Sequence, residues 1–248
     1  MRVAAIYDVH GNLPALEAVL EDVRREGAEL LVVGGDLVPG PMPRETLTLL
    51  LGLDIPVRFI RGNGEADALA EMSGAGATRV PEQYREIVRW SARQLQPDYE
   101  RLLAGWPLTL RVRVGESTEA LFCHATPRDD NEIFTRLTPE ESLLPIFEGL
   151  GAPLVVCGHT HMQFDRTVGG VRVVNAGSVG MPFGEPGADW LLLGPDVQLR
   201  HTPYDLDEAA RRIIATRYPG AEEFVANYLL HPPSEEQMLQ VYARAELK

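Results

Sequence analysis

Short, almost wholly apolar runs alternate with amphipathic stretches along the first part of this chain. Residues 2–7 (Arg-Val-Ala-Ala-Ile-Tyr) read as a buried strand, and so do 30–33 and 57–61. Between the first two, Leu13, Leu16, Val19, Leu20 and Val23 recur at helical spacing. Asn12 stands where an N-cap is needed, Pro14 in the first turn, and Gly27 at the end. Residues 38–43 carry three prolines and read as a loop, followed by a short helix through Leu51. These strand–loop–helix units predict an α/β domain with parallel strands.

Residues 65–104 read as largely helical, broken at Pro81 and Pro97. From 108 the texture changes, and 108–114, 119–123, 153–157, 163–168, 171–175, 190–193 and 197–202 are short strand candidates. Thr138-Pro139-Glu140-Glu141 has the form of a capping box opening a helix to about 148. Asp205 with Glu208, and Ser234 with Gln237, open two more. With no internal repeat and no clear linker, the chain reads as one domain, 1–248, in which 205–248 is a C-terminal helical appendage.

Composition narrows the function. The chain has 248 residues, 45% of them hydrophobic and 24% charged, which is enough for a full core. Its formal net charge of −13 argues against non-specific nucleic-acid or anionic-membrane binding, which needs basic surface. A small phosphorylated substrate stays open, because bound cations reverse the sign of the potential inside one pocket. The two cysteines, Cys123 and Cys157, end apolar runs and read as small buried side chains. No apolar stretch is long enough for a bilayer span, and the N-terminus opens into a strand with no basic leader. The expected location is cytoplasmic.

Polar residues fall at the carboxyl ends of the predicted strands, where open α/β sheets bind ligands. Asp8, His10, Asp36 and Asn63 lie there. Four of the six histidines stand in short polar motifs at strand ends: His10, His124, His159 and His161. Seven nitrogen and oxygen ligands without a thiolate suit divalent transition ions. Seven exceed one tetrahedral site and match two ions sharing a carboxylate, a pairing that polarises phosphate and activates water. Manganese is the leading expectation, with iron, nickel, zinc or magnesium as alternatives.

Asp8-x-His10-Gly11-Asn12, Gly35-Asp36, Gly62-Asn63, His124 and Gly158-His159-Thr160-His161 occur in one order over residues 8–161. As a set they resemble the motifs of the calcineurin-like metallophosphoesterase superfamily, and in particular its small prokaryotic phosphodiesterase branch. The resemblance implies a four-layer αββα sandwich of two mixed β-sheets flanked by helices. It also implies one metal on Asp8, His10, Asp36 and His161, and a second on Asp36, Asn63, His124 and His159, with Asp36 bridging. A hydroxide between the metals would attack phosphorus, with Asp36, His124 and Asn63 as the catalytic set. The activity implied is a phosphodiesterase, with a phosphomonoesterase or nucleotide pyrophosphohydrolase as alternative, and a non-catalytic binding module as the reading of another class. Asn12 and Arg128 are candidate substrate contacts. Asn175-Ala-Gly-Ser178 resembles a late family turn that supports the site.

One position departs from the pattern. Where many relatives continue Gly-Asn with a histidine that protonates the leaving group, this chain has Gly64. A general acid is worth about 10²–10⁴-fold, most for alkoxide leaving groups. Slow turnover of alkyl monoesters is therefore expected, with better turnover of aryl esters, anhydrides or diesters, unless Glu65 or Arg61 supplies the proton.

Overall fold

The computed structural model describes residues 1–95, 97–115 and 118–247. Positions 96 and 248, inside predicted helical stretches, lie outside them. Among the described residues ten strands form two mixed sheets. In the first, β1 (Val3–Ile6), β2 (Leu30–Val33) and β3 (Val57–Phe59) run parallel, and β9 (Ala188–Leu193) and β10 (Val197–Thr202) extend the β1 edge antiparallel. In the second, β5 (Thr118–Cys123), β6 (Leu154–Cys157) and β8 (Val171–Asn175) are parallel, flanked by antiparallel β4 (Thr109–Val114) and β7 (Phe164–Val168).

Strand alternation explains the layering. Val3, Ala5 and Tyr7 face one way and pack with Phe122, Val156 and Val174 between the sheets. Ala4 and Ile6 face the other way, against Leu16, Val19 and Leu20 of α1 (Leu13–Arg25) and Leu47 and Leu50 of α2 (Pro43–Leu51). In β5, Ala120 and Phe122 join the inter-sheet core, while Leu121 and Cys123 face Leu143, Ile146 and Phe147 of α6 (Glu140–Phe147). A strand with both faces covered has no polar alternation, which is why the sequence shows continuous apolar runs. Helix, sheet, sheet and helix are thus the four layers expected from the resemblance. Both cysteines are buried and unpaired.

Three local readings are sharpened. Helix α3 (Asn63–Met72) starts at a candidate ligand and not at 65. The helical stretch after it divides into a 3₁₀ turn (Glu82–Tyr84), α4 (Arg85–Gln94) and α5 (Pro97–Ala104). The Thr138 capping box does not form: its hydroxyl accepts from the Thr135 N–H at 2.8 Å and donates to Glu246, so α6 starts without a side-chain cap. The tertiary partner Glu246 outcompetes the local bond. The caps at Asp205 and Ser234 do form, on α7 (Leu206–Ala215) and α9 (Glu235–Tyr242). Between these, α8 (Ala221–Phe224) runs on into a π-helical segment, Val225–Leu230. Among the described residues no helix is long and apolar enough to cross a membrane.

Candidate metal centre

All seven predicted ligands follow carboxyl ends of parallel strands: Asp8 and His10 after β1, Asp36 after β2, Asn63 after β3, His124 after β5, His159 and His161 after β6. The two sheets present these ends along one edge. Two groups result, Asp8–His10–His161 and Asp36–His124–His159, each with ligand atoms within 4.8 Å of one another. Asp36 faces both: Oδ2 lies 3.8 Å from His10 Nε2 and Oδ1 lies 3.4 Å from His124 Nε2. Asn63 Oδ1 stands 3.0 Å from His124 Nε2.

The imidazoles are oriented from behind. His10, His124 and His161 each hold Nδ1 against a backbone carbonyl, of Pro39 at 3.2 Å, Gly34 at 2.9 Å and Met181 at 2.9 Å. Donating Nδ1–H there leaves each Nε2 lone pair aimed inward, the arrangement that metal-binding histidines adopt. His159 is reversed, with Nε2 3.2 Å from the Asn131 carbonyl, which leaves Nδ1 for the cluster.

Does this donor set fit divalent cations? Asp8 is fully buried, and one oxygen, Oδ2, accepts the His159 N–H at 2.8 Å. The other, Oδ1, is buried without a hydrogen-bond partner. His161 Nε2 stands 3.4 Å from it, and His10 and His161 point Nε2 atoms at each other across 3.2 Å. A bare buried carboxylate oxygen facing converging lone pairs is costly alone and satisfied by a cation. Charges within the cluster act on one another. Burial pulls the His124 imidazole down, yet the Asp36 and Asp8 carboxylates push it up to about 10. Burial would raise Asp36, but His124 and its neighbours hold it well below the carboxylate range. Burial and the adjacent His124 take His159 down to about 4.

Backbone strain concentrates here. Asp8, His10, Asp36, His159 and His161 have φ between 45° and 68°. Non-glycine residues adopt this left-handed region at a cost and gather there at functional sites. The loops are held by groups that local pattern under-reads. Glu65, fully buried, accepts N–H bonds from Asp36 (2.9 Å), Leu37 (2.7 Å), Val38 (3.3 Å) and Gly62 (2.9 Å). Burial, with Asp36, raises its carboxyl to about 7 against the Gly62 and Asp36 N–H donors. So engaged, Glu65 is a loop anchor and not the proton donor considered for it. Its place three residues after Gly62 was the available signal. Asn175, at the end of β8, donates to Gly158 O at 2.7 Å and Thr160 Oγ1 at 3.1 Å, and the Ser178 hydroxyl donates to Asp8 O at 2.7 Å.

The two expected substrate contacts are placed otherwise. Asn12 is fully buried; its oxygen caps α1 by accepting the Ala15 N–H, and its amide donates to Gly180 O at 3.0 Å and Tyr204 Oη at 3.1 Å. It is a cap and a strut. Arg128 gives its guanidinium to Glu132, with Nε–Oε1 2.9 Å and Nη2–Oε1 2.6 Å, and does not line the cleft at the centre. Arg61 does not line it either; Asn131, three residues after Arg128, does.

Gly64 is a structural requirement. A Cβ there would meet the Val38 carbonyl oxygen at 2.0 Å and Asp36 Oδ1 at 3.0 Å, while the Gly64 N–H donates to Asp36 Oδ1 at 2.7 Å. The proline-rich loop closes over the position at which the family resemblance led to the expectation of a histidine. From this floor a cleft of about 350 Å³ opens, past His10, Asp36 and Asn63, toward α4 and the segment after α7.

The chain belongs to the calcineurin-like phosphoesterase superfamily, whose domain profile matches residues 1–194. It is 25% identical over 238 residues to the uncharacterized protein MJ0912 of Methanocaldococcus jannaschii, covering 88% of this chain and 93% of that one. A metallophosphoesterase from Sphaerobacter thermophilus superposes with a TM-score of 0.68 at 26% identity, covering 91% of this chain and 98% of that one. The hypothetical protein PH1004 from Pyrococcus horikoshii OT3 shares the fold, with a TM-score of 0.78, 22% identity, and coverage of 94% and 99%.

Proposed function

We propose that this protein is a two-metal phosphodiesterase, cleaving a P–O bond in a small phosphorylated substrate. The observation that carries the reading is the buried, unpartnered Asp8 Oδ1 facing two groups of ligands that Asp36 joins. The first cation would be held by Asp8, His10, Asp36 and His161, the second by Asp36, Asn63, His124 and His159, with manganese the leading choice. When bound, such a pair activates water near neutral pH and neutralises charge on the transferred phosphoryl group.

The chain's own part is positioning. Backbone carbonyls behind His10, His124 and His161 set their tautomers, and Glu65 and Asn175 fix the loops carrying Asp36, His159 and His161. Asp36 and Asn63 line the floor of the cleft with buried His124 behind them, and the three would orient the phosphate through the cation they hold. Among the described residues lining the cleft the one imidazole is His10, itself a candidate ligand, so esters whose leaving group departs unprotonated are preferred. The test is a screen of metal-free protein reloaded with single metals. Bis(para-nitrophenyl) phosphate and para-nitrophenyl phosphate should turn over, the diester faster, with alkyl monoesters behind by about 10²-fold or more. Equal efficiency on alkyl and aryl monoesters would contradict the role given to Gly64, and no hydrolysis with any metal would refute the enzyme.

A further inference from the structure

The cleft above the metal centre has a character that the ligands do not explain. One wall comes from the loop before α4 and from α4, with Val80, Pro81, Tyr84 and Ile87. The other comes from beyond residue 194, where the superfamily profile ends: Tyr218, Phe224 and Tyr228. Rings tie the walls together. Trp90 of α4 meets Tyr218 edge-on at 5.3 Å, Tyr218 meets Phe224 at 6.4 Å and 85°, and Phe224 meets Tyr228 at 6.0 Å. Tyr228 sits in the π-helical segment, a local irregularity that often marks functional positions.

Charge restricts what fits. Arg79 is the only cation among the described residues lining the cleft, and it pairs with Asp67 at 3.4 Å and Asp130 at 3.3 Å. Asp67 and Glu223 line it as acids. A second phosphate would meet these carboxylates without a free cation, whereas a neutral ring would meet tyrosine and phenylalanine faces in the geometries aromatic groups favour. The volume of about 350 Å³ lies at the low end for ligand pockets, room for one ring system beside a phosphoryl group.

We infer that the α4 wall and the C-terminal segment form a specificity cleft for a phosphoester bearing one large, uncharged aromatic group. The inference rests on the phosphoesterase reading, since it is the metal centre that would hold the phosphoryl end. Tyr84 and Tyr228 stack on the ring, and the appendage thereby selects substrates.

Phosphonates test this without a leaving group. Calorimetry on manganese-loaded protein should show naphthylmethylphosphonate binding about tenfold or more tighter than methylphosphonate, the scale of discrimination apolar pockets achieve. Thymidine monophosphate, run alongside, separates a nucleobase from other rings by which of the two binds tighter. Tyr84→Ala and Tyr228→Ala should each cut the naphthyl-to-methyl ratio about threefold or more, and Tyr84→Ala, at an exposed position, should do so with an unchanged melting temperature. Equal affinities for naphthylmethyl- and methylphosphonate, or an octylphosphonate binding as tightly as the naphthyl ligand, overturns the inference. Bis(para-nitrophenyl) phosphate hydrolysis is measured on the same samples. An active enzyme with no aryl preference loses only the cleft. An inactive protein that keeps the preference loses the phosphoesterase reading and retains the cleft.

Discussion

At Asp8, burial and charge oppose each other: one oxygen is satisfied by a backbone N–H and the other faces imidazole lone pairs. Asp36 has a similar setting and adds contact with both ligand groups. Replacing it by asparagine removes the charge shared between the sites. Asp36→Asn should lose at least one of two bound metals by elemental analysis and reduce hydrolysis by about 10³-fold or more. Two metals retained with near-normal turnover would end the bridging role given to Asp36. Gly64 makes the opposite kind of prediction, steric and not electrostatic. Gly64→Ala forces a Cβ against the Val38 carbonyl and should destabilise the fold by about 1–3 kcal/mol in urea titration, the usual cost of overpacking. A Gly64→His variant as stable as the parent, with faster alkyl-ester turnover, would show that the loop yields.

Elements matter through what they hold at their ends. The turn Gly158–Thr160–His161 follows β6, yet its hydrogen-bond support comes from Asn175 on the neighbouring β8. Register between two parallel strands therefore sets the pose of two ligands. Asn175→Ala should leave the sheet intact and lower metal affinity about 10–100-fold, the range for residues that orient ligands from behind, read by competition with a fluorescent chelator. Unaltered affinity would make the β8 contact incidental. Helix α3 works similarly: its first turn delivers Asn63, and Glu65 in the same turn ties the loop after β2 to it through the N–H groups of Asp36, Leu37 and Val38.

For the whole molecule, the two sheets converge on a centre that gathers four imidazoles, two carboxylates and five residues in left-handed backbone conformation. Cations that bind only the folded chain stabilise it by mass action, about 2.7 kcal/mol per site at a hundredfold excess over Kd. Added manganese should raise the melting temperature, a chelator should reverse the rise, and Asp36→Asn should lose most of it. A melting temperature indifferent to metal would count against both sites. The C-terminal helices act at this scale too. Their apolar cluster includes Leu13, Met42 and Met181, so the appendage packs against the loops of the centre and not on a remote face.

Much of this was legible in order along the chain. The candidate ligands stand in short motifs just past apolar runs, and both features are local, so the strand ends and the residues that cluster beyond them follow from pattern. The caps at Asn12, Asp205 and Ser234 are local as well, and they form. What is not local was not legible. Thr138 bonds Glu246, and Asn12 bonds Gly180 and Tyr204, through contacts between distant segments. The sequence by itself determined which atoms are available to bind metal, because motif and strand period are written over a few residues. Only the tertiary structure decided that Gly64 has no room for a side chain, and that rings from α4 and the C-terminal segment face one another above the site. Those facts depend on how segments far apart in sequence approach, and no local period encodes that distance.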